Sequence, residues 1–356
     1  MSKKFISVHP FRHPTLFLMD KQSHYLFWPC WAMQELGYDV EILVLNGNVK
    51  VEDDPNYDKS MKVVYLDNSP FKLFSYLRKN KDALVYSQSF TIPTLLVSLF
   101  SKHAIFFSHD PVLPWKYSNF YHLKKFFVKF CYRFYKKIRV INDYELELLE
   151  KEWIHNKWIK IPLVISFDNY KKTISDQPNV LMLWHVTPNK KNPDTMLHAM
   201  SLVVKKYPNT KIYQVWNYKD YFENGKTFED LVNLYWLKDN INLLWRRKER
   251  LKDLDLPTSI YINSSFMEWQ CIAVYDASLL WNALCLPRMS SFLGILDDKV
   301  KYHNQNDYEQ LAKNIIWYIE HPEEKEKIIK DNQKWILDNH NYDVIKKSIQ
   351  KEFVKA

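Results

Sequence analysis

The chain has 356 residues, 47% of them hydrophobic and 16% aromatic, too many for one ordinary core and enough for two domains built on Phe, Tyr and Trp. Fifty Lys and Arg against 41 Asp and Glu leave a net charge of +9, which favours an anionic partner: phosphate, lipid or nucleic acid. Only four glycines and four cysteines occur; the first number excludes Gly-rich phosphate loops, and the second, without any CxxC pair, points to reduced, buried thiols of a cytoplasmic protein rather than a zinc site or disulfide framework.

The opening residues MSKKFISVHP pass directly into a strand and lack the long apolar core of a signal peptide. Strand-like runs follow at Val40 to Leu45, Met61 to Leu66, Ala83 to Gln88 and Ala104 to His109. The longest apolar stretch, TIPTLLVSLF, is about half of what a bilayer span demands. From Trp115 to Val140 the chain carries eight basic residues and no acids. On a helix, Lys125, Lys129, Arg133 and Lys137 form one stripe, and Leu123, Phe127, Phe130 and Phe134 another. That segment reads as a core-packed helix with a solvated cationic face, or as a peripheral contact with an anionic membrane; nucleic-acid phosphates are the weaker alternative.

The second half repeats the alternation, with strands expected at Asn179 to Val186, Thr210 to Trp216, Ile241 to Trp245 and Ser259 to Ser265. Between the first two, Met196, Leu197, Met200, Val203 and Val204 share one face of a helix over Asn192 to Lys206. Continuous apolar strands separated by helices predict parallel sheets covered on both sides. The polar, Pro-containing segment around Asp168 to Pro178 separates the two halves. We therefore expect an N-terminal doubly wound domain over 1–167, a second over 168–338, and a C-terminal helix over 339–356 packing back on the first. Ligands of such sheets bind beyond the carboxyl ends of the strands.

Three places there carry chemistry. Lys190 and Lys191 precede a helix, where a cation and free backbone N–H groups together suit a diphosphate; the same residues also read as a solvated helix start. Glu268 follows a strand and, after seven residues, Asp276 lies in a helix. The pair reads as two acceptors for hydroxyl groups, or as a capping Glu and a salt-bridged Asp. His109 closes a strand in the first half, as a donor to a hydroxyl or phosphate or as a structural imidazole.

These residues resemble those of retaining GT-B glycosyltransferases of family 4. That family shows a strand, Gly-Arg, then Lys at a helix start; here Trp184 and His185 stand for Gly-Arg, and the helix register favours Lys191 as the lysine. It also shows Glu-x7-Glu followed by Gly-Leu-Pro; here Glu268, Asp276 and Cys285-Leu286-Pro287 match, with Trp269 and Gln270 where small residues are usual. The resemblance implies two Rossmann-like domains facing across a cleft, a nucleotide-sugar co-substrate such as a UDP- or GDP-sugar, and no metal or other cofactor. His109, Lys191 and Glu268 would be catalytic. His185, Lys190, the backbone N–H groups of Trp269, Gln270 and Cys271, and Asp276 would bind the donor, with Asp276 on the ribose. The acceptor, a glycan, lipid or protein, is not specified. The glycine-poor, Lys-, Asn- and Tyr-rich chain is also similar to transferases of rod-shaped viruses of thermophilic archaea. Two other readings remain open: a degenerate binding module that holds a nucleotide or glycan without turnover, and a basic membrane- or nucleic-acid-binding protein.

Overall fold

The computed structural model describes residues 3–9, 28–45, 60–67, 69–88, 92–107, 121–151, 157–165, 170, 177–183, 191–215, 227–244, 256–266, 268, 272–293, 296 and 299–354. They divide into two compact units, 1–166 with 339–356, and 167–338.

In the first unit, strands β1 (Lys4–His9), β2 (Asp39–Val44), β3 (Lys62–Tyr65), β4 (Leu84–Gln88), β5 (Ala104–Phe107), β6 (Lys137–Val140) and β7 (Trp158–Lys160) form one sheet in the order β3-β2-β1-β4-β5-β6-β7. Every neighbouring pair is parallel. Helix α1 (Trp28–Glu35) connects β1 to β2, and α2 (Pro70–Lys79), α3 (Ile92–Phe100), α4 (Tyr121–Tyr132) and α5 (Asp143–Lys151) connect the strands from β3 to β7. Right-handed crossovers place α1 on one face and α2 to α5 on the other, because the chain reverses direction between β1 and β4. Burial agrees: Leu73, Val97, Val128 and Leu149 share a core with Ile6 and Val8, alternate residues of β1.

Local signals explain several boundaries. Gly37, at φ 84°, ends α1 with Tyr38 N–H donating to Met33 O and Gly37 N–H to Gln34 O, the left-handed stop that only glycine adopts cheaply. Ser69 caps α2 and Pro70 opens it. On the opposite face of this sheet the guanidinium of Arg139 is fully buried. It lies over the Trp28 and Phe107 rings and donates to the carbonyls of Ile161 and Pro162 and to Tyr86 Oη. The C-terminal helix α11 (Tyr342–Phe353), capped by Asn341, packs beside α1, where Lys346 pairs with Glu35.

In the second unit, β8 (Val180–Leu183), β9 (Ile212–Val215), β10 (Ile241–Leu244), β11 (Ile260–Ile262), β12 (Ala283–Pro287) and β13 (Lys301–His303) form a parallel sheet in the order β10-β9-β8-β11-β12-β13. Helix α6 (Pro193–Lys206) links β8 to β9 and α7 (Phe228–Leu234) links β9 to β10. Helix α8 (Ile272–Leu279) links β11 to β12, and α9 (Tyr308–Glu320) and α10 (Pro322–His340) follow β13. Met196, Leu197, Met200 and Val203 of α6 are fully buried against β8 and α9, the face their spacing predicts.

Three expectations change. The helix expected to carry its basic stripe on to Lys137 ends at Tyr132, and Lys137 opens strand β6. The run Ser259 to Ser265 leaves the ladder after Ile262, because Asn263 turns its side-chain oxygen to Ser265 N–H and Ser264 turns its hydroxyl to the start of α6. Helix α4 buries Val128, Cys131 and Tyr132, while Phe130 and Phe134 of the expected apolar stripe are exposed. Contacts with α3 set that rotation: Ser98 Oγ donates to Cys131 O, and the Tyr135 hydroxyl to Thr94 O. Cys30, Cys131 and Cys285 are buried free thiols, and Cys271 lies outside the described residues.

Candidate functional site

The second sheet reverses its strand order between β8 and β11, which are hydrogen-bonded neighbours. In doubly wound sheets such a reversal, with the following helices on opposite faces, marks the end of the sheet where ligands bind. Lys191 and Asn192 lie between β8 and α6, and Asn263 to Glu268 follow β11. Side chains of these two segments lock together there.

The Ser264 hydroxyl lies 2.6 Å from Asn192 O and 3.1 Å from Lys191 O, so the exit of β11 holds the entry of α6. Asn192 is left-handed at φ 46°, and its side chain caps no backbone N–H of the first turn; its amide donates instead at 2.9 Å to the side-chain oxygens Thr195 Oγ1 and Asn306 Oδ1. Pro193 at the first helical position has no N–H to satisfy. Lys191 Nζ donates to Glu268 Oε1, which also accepts from Ser265 Oγ at 2.7 Å. The side chains of Lys191 and Glu268 are 17% and 12% exposed, so the pair is mostly shielded and still reachable from solvent. A cation and an anion held this way present a phosphate with a positive charge and a hydroxyl group with an acceptor.

His303, at the end of β13, ties this loop to the rest of the sheet. Its Nε2 is 2.9 Å from Asn263 O and its Nδ1 2.8 Å from Asn304 O. Burial lowers its pKa, against the pull of both carbonyls. As neutral imidazole it donates to one of the two.

Asp276 lies in the second turn of α8, in the same crossover as Glu268. Its Oδ1 accepts from Tyr170 Oη at 2.6 Å. Burial, then the adjacent carboxylate, raises the Tyr170 pKa, so the phenol remains a donor. The structure thus brings Lys191 and Glu268 together and gives Asp276 a tyrosine partner. His109, His185, Lys190, Trp269, Gln270 and Cys271 lie outside the described residues. Sequence reasoning missed Ser264, Ser265, Tyr170 and His303. The Asn-Ser-Ser run at a strand end was a usable signal for the serines, whereas Tyr170 is 106 positions from Asp276 and left none.

No family model and no curated protein matches the chain by sequence. Solved structures do match it, and they define a class of architecture: two parallel α/β sheets in the GT-B fold of glycosyltransferases. The sucrose-phosphate synthase of Thermosynechococcus elongatus superimposes with a TM-score of 0.76 at 14% identity, over 99% of this chain and 98% of that one. Anabaena HepE in complex with UDP and glucose gives 0.75 at 12% identity, over 99% and 100% of the two chains. A glycosyltransferase from Rickettsia africae gives 0.72 at 14% identity, over 99% and 98%.

Proposed function

We propose that this chain is a glycosyltransferase that moves a sugar from a nucleotide-activated donor to an acceptor, with retention of anomeric configuration and without a metal, as in family 4. The observation that carries the reading is the Lys191–Glu268 pair at the β8/β11 reversal. It is supported by the likeness to HepE, which was crystallised with UDP and glucose and with UDP-glucose.

In this reading the Lys191 ammonium faces the diphosphate, where negative charge grows as the bond from the anomeric carbon to the phosphate oxygen breaks. Glu268 accepts from hydroxyl groups of the transferred sugar, and Ser265, already donating to it, fixes its orientation. Asp276 accepts from the ribose diol, with Tyr170 holding one of its oxygens. The acceptor hydroxyl bonds to the anomeric carbon on the face the phosphate leaves, and its proton passes to the departing phosphate oxygen. His185 and Lys190 are assigned to the diphosphate, the N–H groups of Trp269, Gln270 and Cys271 to the donor, and His109 to the sugar.

A thermal-shift and hydrolysis screen over UDP-, GDP- and other nucleotide sugars, with and without EDTA, tests the proposal. At least one donor should raise the melting temperature and release its nucleotide slowly in EDTA. Binding without hydrolysis or transfer would favour a non-catalytic module, and no response to any donor would defeat the proposal.

A further inference from the structure

We propose that the outer face of helices α2, α3 and α4 in the first unit docks on the surface of an anionic lipid membrane. This inference is independent of the donor site.

The three helices lie side by side on one face of the sheet, α2 against α3 and α3 against α4. Their inner sides supply the core through Leu73, Leu77, Val97, Val128 and Cys131. Their outer sides are where apolar groups would not be expected. Phe71 is 83% exposed and Phe126 69%, and Phe74, Leu99, Phe130 and Phe134 are also exposed. Phe71 and Phe74 are three apart on α2; Phe126, Phe130 and Phe134 are four apart along α4 and the turn after it, so each group forms a stripe. Phe74 also packs edge-on against Phe100 of α3 at 4.7 Å, and within the α4 stripe Phe130 packs against Phe134 at 5.0 Å.

Charge selects the occupant. The three helices contain six Lys and Arg and no Asp or Glu. Arg78, Lys79, Arg133 and Lys136 are exposed among or beside the phenylalanines, and Lys72 is exposed but paired with Asp67. Protein interfaces concentrate aromatic groups and arginine but are depleted in lysine, whereas helices that carry exposed aromatics beside lysine and arginine and contain no acid match acyl chains beneath anionic headgroups. Among the described residues no helix is long and apolar enough to cross a membrane, so the contact is one of a face lying on the surface.

The test is co-sedimentation of the full chain with vesicles of phosphatidylcholine alone and with phosphatidylserine added at about one part in four, with the double variants Phe71→Ser/Phe126→Ser and Arg78→Glu/Arg133→Glu. Both variants change exposed side chains, and unchanged thermal unfolding shows that they fold. The wild type should bind the mixed vesicles, bind neutral ones at least about tenfold more weakly, and release as salt rises. Each double variant should lose about tenfold or more of the partition coefficient on mixed vesicles. Equal binding to both vesicle types, binding to neither, or variants that bind like the wild type would overturn the proposal. So would self-association that the phenylalanine variant abolishes, or an oligonucleotide that displaces the chain from the vesicles.

Discussion

Acid should weaken the point at which the chain returns to the first unit, and the size of the effect follows from one imidazole. His340 ends α10, is 3% exposed, and its Nδ1 lies 2.9 Å from Leu163 O. One residue pair on, Ile165 N–H donates to His340 O at 3.0 Å, so side chain and backbone pin the same two segments. Burial pushes the imidazole pKa down from 6.5 to about 4, with the bond to Leu163 O opposing it. Because the unfolded chain holds the proton more tightly, the contribution of neutral His340 is complete above pH 6.5 and drains away as pH falls towards about 4. At about 1.4 kcal/mol per pH unit the full loss is about 3 kcal/mol. His340→Gln keeps an N–H for Leu163 O and removes the titration. Hydrogen exchange of the Ile165 amide, compared between wild type and variant at the same pH, cancels the intrinsic exchange rate. Between about pH 7.5 and about pH 4.5 the wild type should lose protection relative to the variant by on the order of tenfold or more. A ratio that does not change with pH would mean that protonation of His340 does not loosen this junction.

Three further outcomes are expected. Glu268→Gln removes a carboxylate from beside the diphosphate position, so UDP should bind as tightly as to wild type or up to about tenfold more tightly while transfer falls by a hundredfold or so; weaker UDP binding in calorimetry would contradict this placement of Lys191. Tyr170→Phe removes the donor to Asp276, so the preference for UDP over its 2′-deoxy analogue should shrink about threefold to tenfold; an unchanged ratio would detach Asp276 from the ribose. Arg139→Lys cannot reproduce the planar stack on Trp28 and Phe107 or the bonds to Ile161 O and Pro162 O, and should cost about 3 kcal/mol or more of stability in chemical unfolding; a loss below about 1 kcal/mol would show that the cage tolerates a point charge.

What the sequence disclosed was whatever one element could carry alone. The apolar runs of β1, β2, β8 and β9 and the buried stripe of α6 are local patterns, and they match the described sheet and core. Lys191 was singled out because it precedes a helix and Glu268 because it follows a strand, and the structure pairs the two. Helix α4 was misread because apolar residues occur nearly all the way round it. Its rotation is decided by Ser98 and Thr94 on α3, which no periodicity within α4 contains. The same holds for Ser264, whose hydroxyl reaches across to Asn192, and for Tyr170, brought to Asp276 by the tertiary fold.

Titration of UDP into the wild type and into Lys191→Met isolates the contribution of the Lys191 charge, because that change removes the cation and leaves the shape of the α6 entry in place. The wild type should bind, and the variant should bind at least about tenfold more weakly, with a smaller dependence on salt. Equal affinities and equal salt dependence in the two proteins would mean that the β8/β11 reversal is not where this chain holds a nucleotide diphosphate.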